Sequence, residues 1–287
     1  MGIRGTGWIA VNPGPAIRVS RRGLIVGAAA TAIAFPAAAR DVAGFAANRS
    51  GSGTADHSAF EALLARRARA SRDGIVRVDY SRWKASVADR AALRAYIDAL
   101  SRVSPLTLTR PEQFAFWANL YNAVTIDVVL DAYPVRSIRD IRSGLLPGPW
   151  RRKRVTIGGV DLSLDDIEHN ILRKGWAEPR VHYAVNCASI GCPNLPLRPL
   201  RGATLGPALE TAARAFVNTP RAVRFDGNQL VVSSIYKWFA ADFGGSDARI
   251  IAHLARHADE PLRSRLQATT RIGRDTYDWS LNATPGG

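Results

Sequence analysis

The chain has little sulfur: two cysteines and one methionine in 287 residues. It carries no Gly-rich phosphate loop, no paired-carboxylate motif, no serine elbow and no internal repeat, which sets aside the folds and chemistries those signatures announce. Acidic residues are outnumbered, 24 against 39 Lys and Arg, for a net charge of +15. The apolar stretch 23–35 is too short for a membrane span: as a helix it would reach about 20 Å against a hydrocarbon layer of roughly 30 Å. What is present is ample for a globular core, at 47% hydrophobic residues, and nothing in the composition is fibrous or disordered.

Ser20-Arg21-Arg22-Gly23-Leu24-Ile25-Val26, an apolar run to Phe35 and then Pro36-Ala37-Ala38-Ala39 have the layout of a cleavable twin-arginine signal. Residues 1–39 are expected to be removed on export, giving a periplasmic or secreted protein without a membrane span. Cleavage takes away Arg4, Arg18, Arg21 and Arg22 and no acid, so the remainder stays basic. Such a surface attracts an anionic envelope component or peptide, and it also keeps a protein soluble without any partner. The densest basic run, Arg151-Arg152-Lys153-Arg154, has only Trp150 beside it and no nucleic-acid motif around it.

Residues 40–54 are rich in Gly, Ser and Ala without periodicity and read as a flexible linker, followed by a single domain over 55–287. Apolar residues at helical spacing place helices around Phe60–Ala68 and Leu93–Val103, on either side of a short extended stretch 75–80. Thr109-Arg110-Pro111-Glu112 opens a helix to about Ala132 that is apolar nearly all round, so it must be buried. Gly158-Gly159 and Asp226-Gly227-Asn228 each mark the turn of a hairpin. Ser163 with Asp166 caps a helix bearing Glu168 and His169. Residues 180–186 read as a strand, 187–199 as a loop, 204–218, 236–243 and 248–257 as helices, and 271–279 as a closing strand. Antiparallel hairpins interleaved with helices, without a βαβ series, give an α+β fold built around a central buried helix.

Chemistry is expected around His182-Tyr183-Ala184-Val185-Asn186-Cys187-Ala188-Ser189-Ile190-Gly191-Cys192-Pro193, which holds both cysteines. Three readings stand side by side. An exported protein joins the pair in a disulfide, worth about 2 kcal/mol for so short a loop. Alternatively, Cys187 is a nucleophile, its thiolate favoured by an imidazole. His169 is then the base, because an extended strand would hold His182 about 16 Å from Cys187. Asn186, Asn119 or Asn122 would orient the ring or bind an oxyanion, although a buried amide on a helix serves structure as readily. In the third reading His169, His182, Cys187 and Cys192 hold zinc, without the short ligand spacings of zinc fingers. No other cofactor is expected.

The stretches Phe116-Trp117-Ala118-Asn119-Leu120-Tyr121-Asn122-Ala123, Ile167-Glu168-His169, 182–193, 236–243 and Tyr277-Asp278-Trp279-Ser280-Leu281-Asn282 together resemble the family of unknown-function domains numbered 547, over roughly 105–282. The resemblance implies that Asn119, Asn122, Glu168, His169, His182, Cys187 and Cys192 belong together. A buried helix packed on a sheet that carries a histidine is also distantly similar to papain- and transglutaminase-type hydrolases, whose helix bears a cysteine where this one has Asn119. The functional expectation is a thiol-dependent hydrolase or acyl transferase acting on an envelope peptide or amide, with Cys187 attacking and Glu168, His169, His182, Asn119, Asn122 and Asn186 around it. The competing expectation is a non-catalytic envelope-binding module with a structural disulfide or zinc.

Overall fold

The computed structural model describes residues 41–142, 144–145 and 147–285. The twin-arginine leader expected over 1–39 lies outside them. In chain order the helices are α1 (Val42–Ala46), α2 (Ser58–Arg67), α3 (Tyr80–Ala85), α4 (Val87–Ser101), α5 (Arg110–Ala132), α6 (Arg173–Trp176), α7 (Val181–Ala184), α8 (Leu205–Val217), α9 (Ile235–Trp238), α10 (Asp247–His257) and α11 (Leu262–Gln267). The strands are β1 (Ala68–Ala70), β2 (Val76–Val78), β3 (Val155–Ile157), β4 (Val160–Leu162), β5 (Val223–Asp226), β6 (Gln229–Ser233) and β7 (Arg274–Thr276). About half of the chain is helical and the sheets are small, which makes the fold mixed α+β.

The start of α5 follows from its sequence. The Thr109 hydroxyl accepts from the Glu112 N–H at 3.4 Å, and Pro111 sits in the first turn, where its missing N–H is harmless. Pro134 then ends the helix, since the residue before a proline is pushed out of helical geometry. All residues from Glu112 to Ile126 are buried. Packed on all sides, α5 touches α3, α4 and α8 and the segment that carries Glu168. A second apolar cluster, Phe216, Leu230, Tyr236, Phe243, Ile250 and Leu254 among its members, gathers α8, α10 and the β5–β6 hairpin.

Both expected hairpins form: β3 pairs antiparallel with β4 across Gly158 and Gly159, which have φ of 58° and 82°, and β5 pairs with β6 across Gly227. The closing strand β7 joins β6 in parallel, so that sheet is not purely antiparallel. β6 and β7 are far apart in sequence, and a parallel neighbour needs such a long connection.

Two expectations are corrected. Residues 41–54 do not behave as a linker: Asp41 caps α1, Phe45 is fully buried against Trp117, and Gly51 and Gly53 donate to the Leu108 and Thr107 carbonyls. Small residues permit that approach, because a Cβ on Gly51 would lie 2.0 Å from the Thr107 oxygen. Residues 181–184 form α7 and not a strand, with His182 and Tyr183 donating to the Pro179 and Arg180 carbonyls. A short apolar run buried on every side has the same pattern in either conformation. The chain becomes extended only at Val185. No helix among the described residues is long and apolar enough to cross a membrane.

Candidate functional site

A cavity of about 230 Å³ opens between α5, the segment before α6, the cysteine loop, α9 and the closing segment. One wall is the segment Asp166–Leu172, wound as a π-helix that runs into α6. Ser163 and Asp166 start it reciprocally: the Asp166 carboxylate accepts from the Ser163 N–H at 2.9 Å, and the Ser163 hydroxyl accepts from the Asp166 N–H at 3.2 Å. Such wide turns recur at functional sites. This one brings Asp165, Glu168 and His169 to the cavity.

The cysteine loop is shaped by its own polar groups. Ala188 has a φ of 61°, a left-handed conformation that costs about 1 kcal/mol in a residue with a Cβ, and its N–H is held by the Asn186 side chain at 2.9 Å. Arg221 clamps the far side, donating to the Ile190 and Cys192 carbonyls at 2.7 and 2.6 Å. Gly191 lets the closing segment lie directly on the loop: its N–H meets the Asp278 carbonyl at 2.8 Å, and a Cβ there would come within 2.8 Å of the Asp278 nitrogen. That contact delivers the Tyr277 hydroxyl to Cys187.

Cys187 and Cys192 are free thiols with their sulfurs 3.1 Å apart, well beyond the roughly 2.05 Å of a disulfide bond. The Cys187 sulfur also meets the hydroxyls of Ser189 and Tyr277, each at 3.1 Å. The Cys192 thiol, together with those two hydroxyls, lowers the Cys187 pKa below the ordinary thiol value, against burial and the Glu168 charge. Burial pushes Cys192 and Tyr277 well above their usual values, so both keep their protons and act as donors. Cys187 therefore ionises first, surrounded by groups that solvate a thiolate.

No imidazole contacts the sulfur. The expected direct pair of Cys187 with His169 is absent; the two line the same cavity. The His169 ring nitrogens lie 3.3 Å from Arg173, 3.6 Å from Asp165 and 3.9 Å from Glu168. His182, brought round by α7, also lines the cavity; its Nε2 is 2.7 Å from Asp242, and its ring stacks on Phe239 at 4.3 Å. Burial alone would raise the Asp242 carboxyl, but its hydrogen bonds with His182 and Arg173 hold it far below the usual carboxylate range. Asp242 is thus fixed as an anion that orients His182.

The three asparagines are not at the cavity. Asn119 exchanges two hydrogen bonds with the Leu200 backbone, at 2.8 and 2.9 Å. Asn122 donates to the Ala184 carbonyl and accepts from the Asn186 N–H. Asn186 donates to the Pro193 carbonyl and accepts from Ala188 and Asn282. Their amides are spent on backbone that holds the loop to α5 and none of them lines the cavity, which places them apart from the catalytic roles expected of them. The expected zinc set does not assemble either: among the described residues no three His, Cys, Asp or Glu side chains converge as metal ligands, and His182 is turned to Asp242.

An aromatic rim surrounds the cavity, outside the residues expected to carry chemistry. Trp150, Trp238, Tyr277 and Trp279 line the cavity and touch one another, with ring centres 4.5 Å apart for Tyr277 and Trp279 and 5.5 Å for Trp238 and Trp279. Trp238 is 49% exposed, unusual for so large an apolar ring. The signal was the placing of Trp238, Tyr277 and Trp279 inside the two C-terminal stretches that carried the family resemblance. Tyr277 and Ser189, whose hydroxyls meet Cys187, and Arg173, which joins Asp242 in a polar cluster, have no signal of their own in the sequence, since each meets its partner only through the fold.

No curated protein and no solved structure matches the chain. Residues 105–217 match the family described as Protein of unknown function, DUF547, a span that stops short of Trp238 and Tyr277. The chain therefore contains a DUF547 domain across residues 105–217, to which the π-helical wall and the cysteine loop of the cavity belong.

Proposed function

We propose that this exported protein is a thiol-dependent acyl hydrolase or transferase whose nucleophile is Cys187, acting on a peptide or amide of the cell envelope. The observation that carries the reading is Cys187, a partly exposed residue at the wall of a cavity, with the Cys192 thiol and the Ser189 and Tyr277 hydroxyls each 3.1 Å from its sulfur. A thiol ionised in this way needs no imidazole in contact with it. The thiolate attacks the acyl carbon and forms a carbon–sulfur bond. The amine departs with the electron pair of the broken carbon–nitrogen bond and takes a proton from His169, across the cavity. Water, or a second amine, then attacks the thioester, His169 recovers a proton from it, and the thiolate is released.

The likeness to papain- and transglutaminase-type enzymes is an analogy of layout that lends this reading no independent support, since no solved structure matches the chain. Their buried helix carries the nucleophile, whereas α5 here presents Asn119 to the Leu200 backbone and the thiol stands on the neighbouring loop. Asp242 and His182 form an acid–imidazole pair beside the cavity, as such chemistry uses.

The test is release of 4-nitrophenolate from 4-nitrophenyl acetate by the leaderless protein, with intact-mass analysis of quenched samples. An acetyl adduct on Cys187, with a burst of nitrophenolate that Cys187→Ser abolishes, is the expected result. Absence of any adduct on Cys187 while the thiol is reduced would remove the reading.

A further inference from the structure

Glu168 has no cation at hydrogen-bonding distance among the described residues, and its neighbouring donor is the neutral Tyr121 hydroxyl. Its side chain lines the cavity, the residue is only 9% exposed, and its closest cationic-capable neighbour is the His169 ring at 3.9 Å. The neighbouring carboxylates have cationic groups closer to them than Glu168 has. Asp242 is held by Arg173 and His182. Asp165 has His169 at 3.6 Å and Arg151 at 3.7 Å. A buried carboxylate offset by no close cation is destabilising unless something that binds in the cavity completes it.

The rest of the wall says what that something is. Trp150, Trp238, Tyr277 and Trp279 present aromatic faces, which attract cations most strongly where water is excluded. The Arg139 guanidinium already lies 5.2 Å from the centre of Trp279. The chain's net positive charge does not argue against a cationic ligand at this depth, because charges beyond about 8 Å are screened at physiological salt. Nor is an anion suited to the cavity, whose lining carries the carboxyl groups of Asp165 and Glu168 and an ionisable thiol.

We propose that the cavity accepts a substrate bearing a cationic ammonium group, with the Glu168 carboxylate as its counter-charge and the Trp150, Trp238, Tyr277 and Trp279 faces as its walls. This deepens the acyl-transfer reading and rests on it for the location of the reacting carbon, next to Cys187. It assigns the acyl or amine side of the substrate a basic group, while the anionic partner suggested by the overall charge would lie outside the cavity.

Three iodoacetamides test it on the leaderless protein: one plain, one with a trimethylammonium tail and one with a sulfonate tail. Each rate at Cys187 is divided by the same reagent's rate on N-acetylcysteine, and the tailed reagents are then compared with the plain one within each variant, which cancels changes in thiol ionisation. The ammonium reagent should lead the sulfonate reagent roughly tenfold, and Glu168→Gln should bring the two within about twofold. Trp238→Ala should narrow the gap without reversing it. Equal rates, a preference for sulfonate, or a preference that Glu168→Gln leaves intact would overturn the proposal.

Tetramethylammonium chloride titrated into Cys187→Ser separates the two readings. Saturable quenching of tryptophan fluorescence, absent with sodium chloride and lost in Cys187→Ser with Glu168→Gln, upholds the cation site even if no acyl chemistry is found. A flat titration in Cys187→Ser overturns it even if Cys187 acylates.

Discussion

Glu112 and Glu168 are two glutamates buried to similar depth, 4% and 9% exposed, and they are treated in opposite ways. The Glu112 carboxylate accepts from the Gly202 N–H at 2.6 Å and the Ala55 N–H at 3.4 Å, with His57 at 3.6 Å, so it ties α5 to two distant loops. Glu168 has only the neutral Tyr121 hydroxyl as a neighbouring donor and lines the cavity that Cys187 also lines. The first arrangement contributes to stability. The second leaves a charge poised for a ligand, which is where a fold gives up stability for function.

The largest effect that would break this comparison concerns Cys187. Cys187→Ser should lower acyl-transfer turnover by at least about 10³-fold, measured as nitrophenolate release, while the melting temperature stays close to that of the parent. A variant that keeps its turnover places the chemistry elsewhere.

Next in size is the contrast between the glutamates themselves. Glu112→Gln turns an amide N–H₂ toward a backbone N–H and should cost about 1–3 kcal/mol, read from urea denaturation. Glu168→Gln should stay within about 0.5 kcal/mol of the parent or exceed it, because it removes a buried charge that no close cation offsets and leaves a side-chain oxygen for the Tyr121 hydroxyl. Equal losses would mean that Glu168 is as structural as Glu112. By the same logic Asn122→Ala, which strands the Ala184 carbonyl and the Asn186 N–H, should destabilise by about 2–4 kcal/mol.

Acid should act on the structural region through its buried histidines. Burial, with His257 and Arg256 nearby, depresses His253 from the usual 6.5 to about 3, and burial also lowers His57. Between pH 6.5 and 3 the unfolded chain binds protons that the folded one refuses, so stability should fall as pH drops through that window. Melting temperatures at pH 7, 6, 5 and 4 check this; a flat profile from pH 7 to 5 would contradict it.

The smallest expected change is at Tyr277. Tyr277→Phe removes one of the three donors to the Cys187 sulfur, so the thiol pKa should rise and alkylation at neutral pH should slow. An unchanged rate would show that Cys192 and Ser189 suffice.

The parts of this fold governed by local rules were legible in the sequence. Thr109, Pro111 and Pro134 bound α5, and Gly158-Gly159 and Gly227 set the two hairpins. What failed depended on distant contacts. Residues 181–184 have a buried apolar pattern that suits strand or helix equally, and the choice of α7 is what swings His182 onto Asp242. Phe45 gave no periodic signal, since its partner Trp117 lies far along the chain. At the site, Cys187, Cys192, Glu168, His169 and His182 were all singled out and all line the cavity. The asparagines were grouped with them rightly as neighbours and wrongly as chemistry, because sequence spacing does not reveal which amides the backbone already uses. The aromatic rim, supplied largely from beyond residue 230, has no signal in the sequence beyond the two C-terminal stretches that resemble the family, because its rings meet only when the chain closes on itself.

The central claim is that Cys187 is a free thiol made acidic by its neighbours. The most direct measurement is the pH dependence of iodoacetamide alkylation of the reduced, leaderless protein, with both cysteine peptides quantified by mass. The account predicts selective modification of Cys187, an inert Cys192, and a rate that reaches half its maximum at a pH below that of a free cysteine, about 8.5. A rate that follows free cysteine, or equal labelling of the two sulfurs, would contradict it.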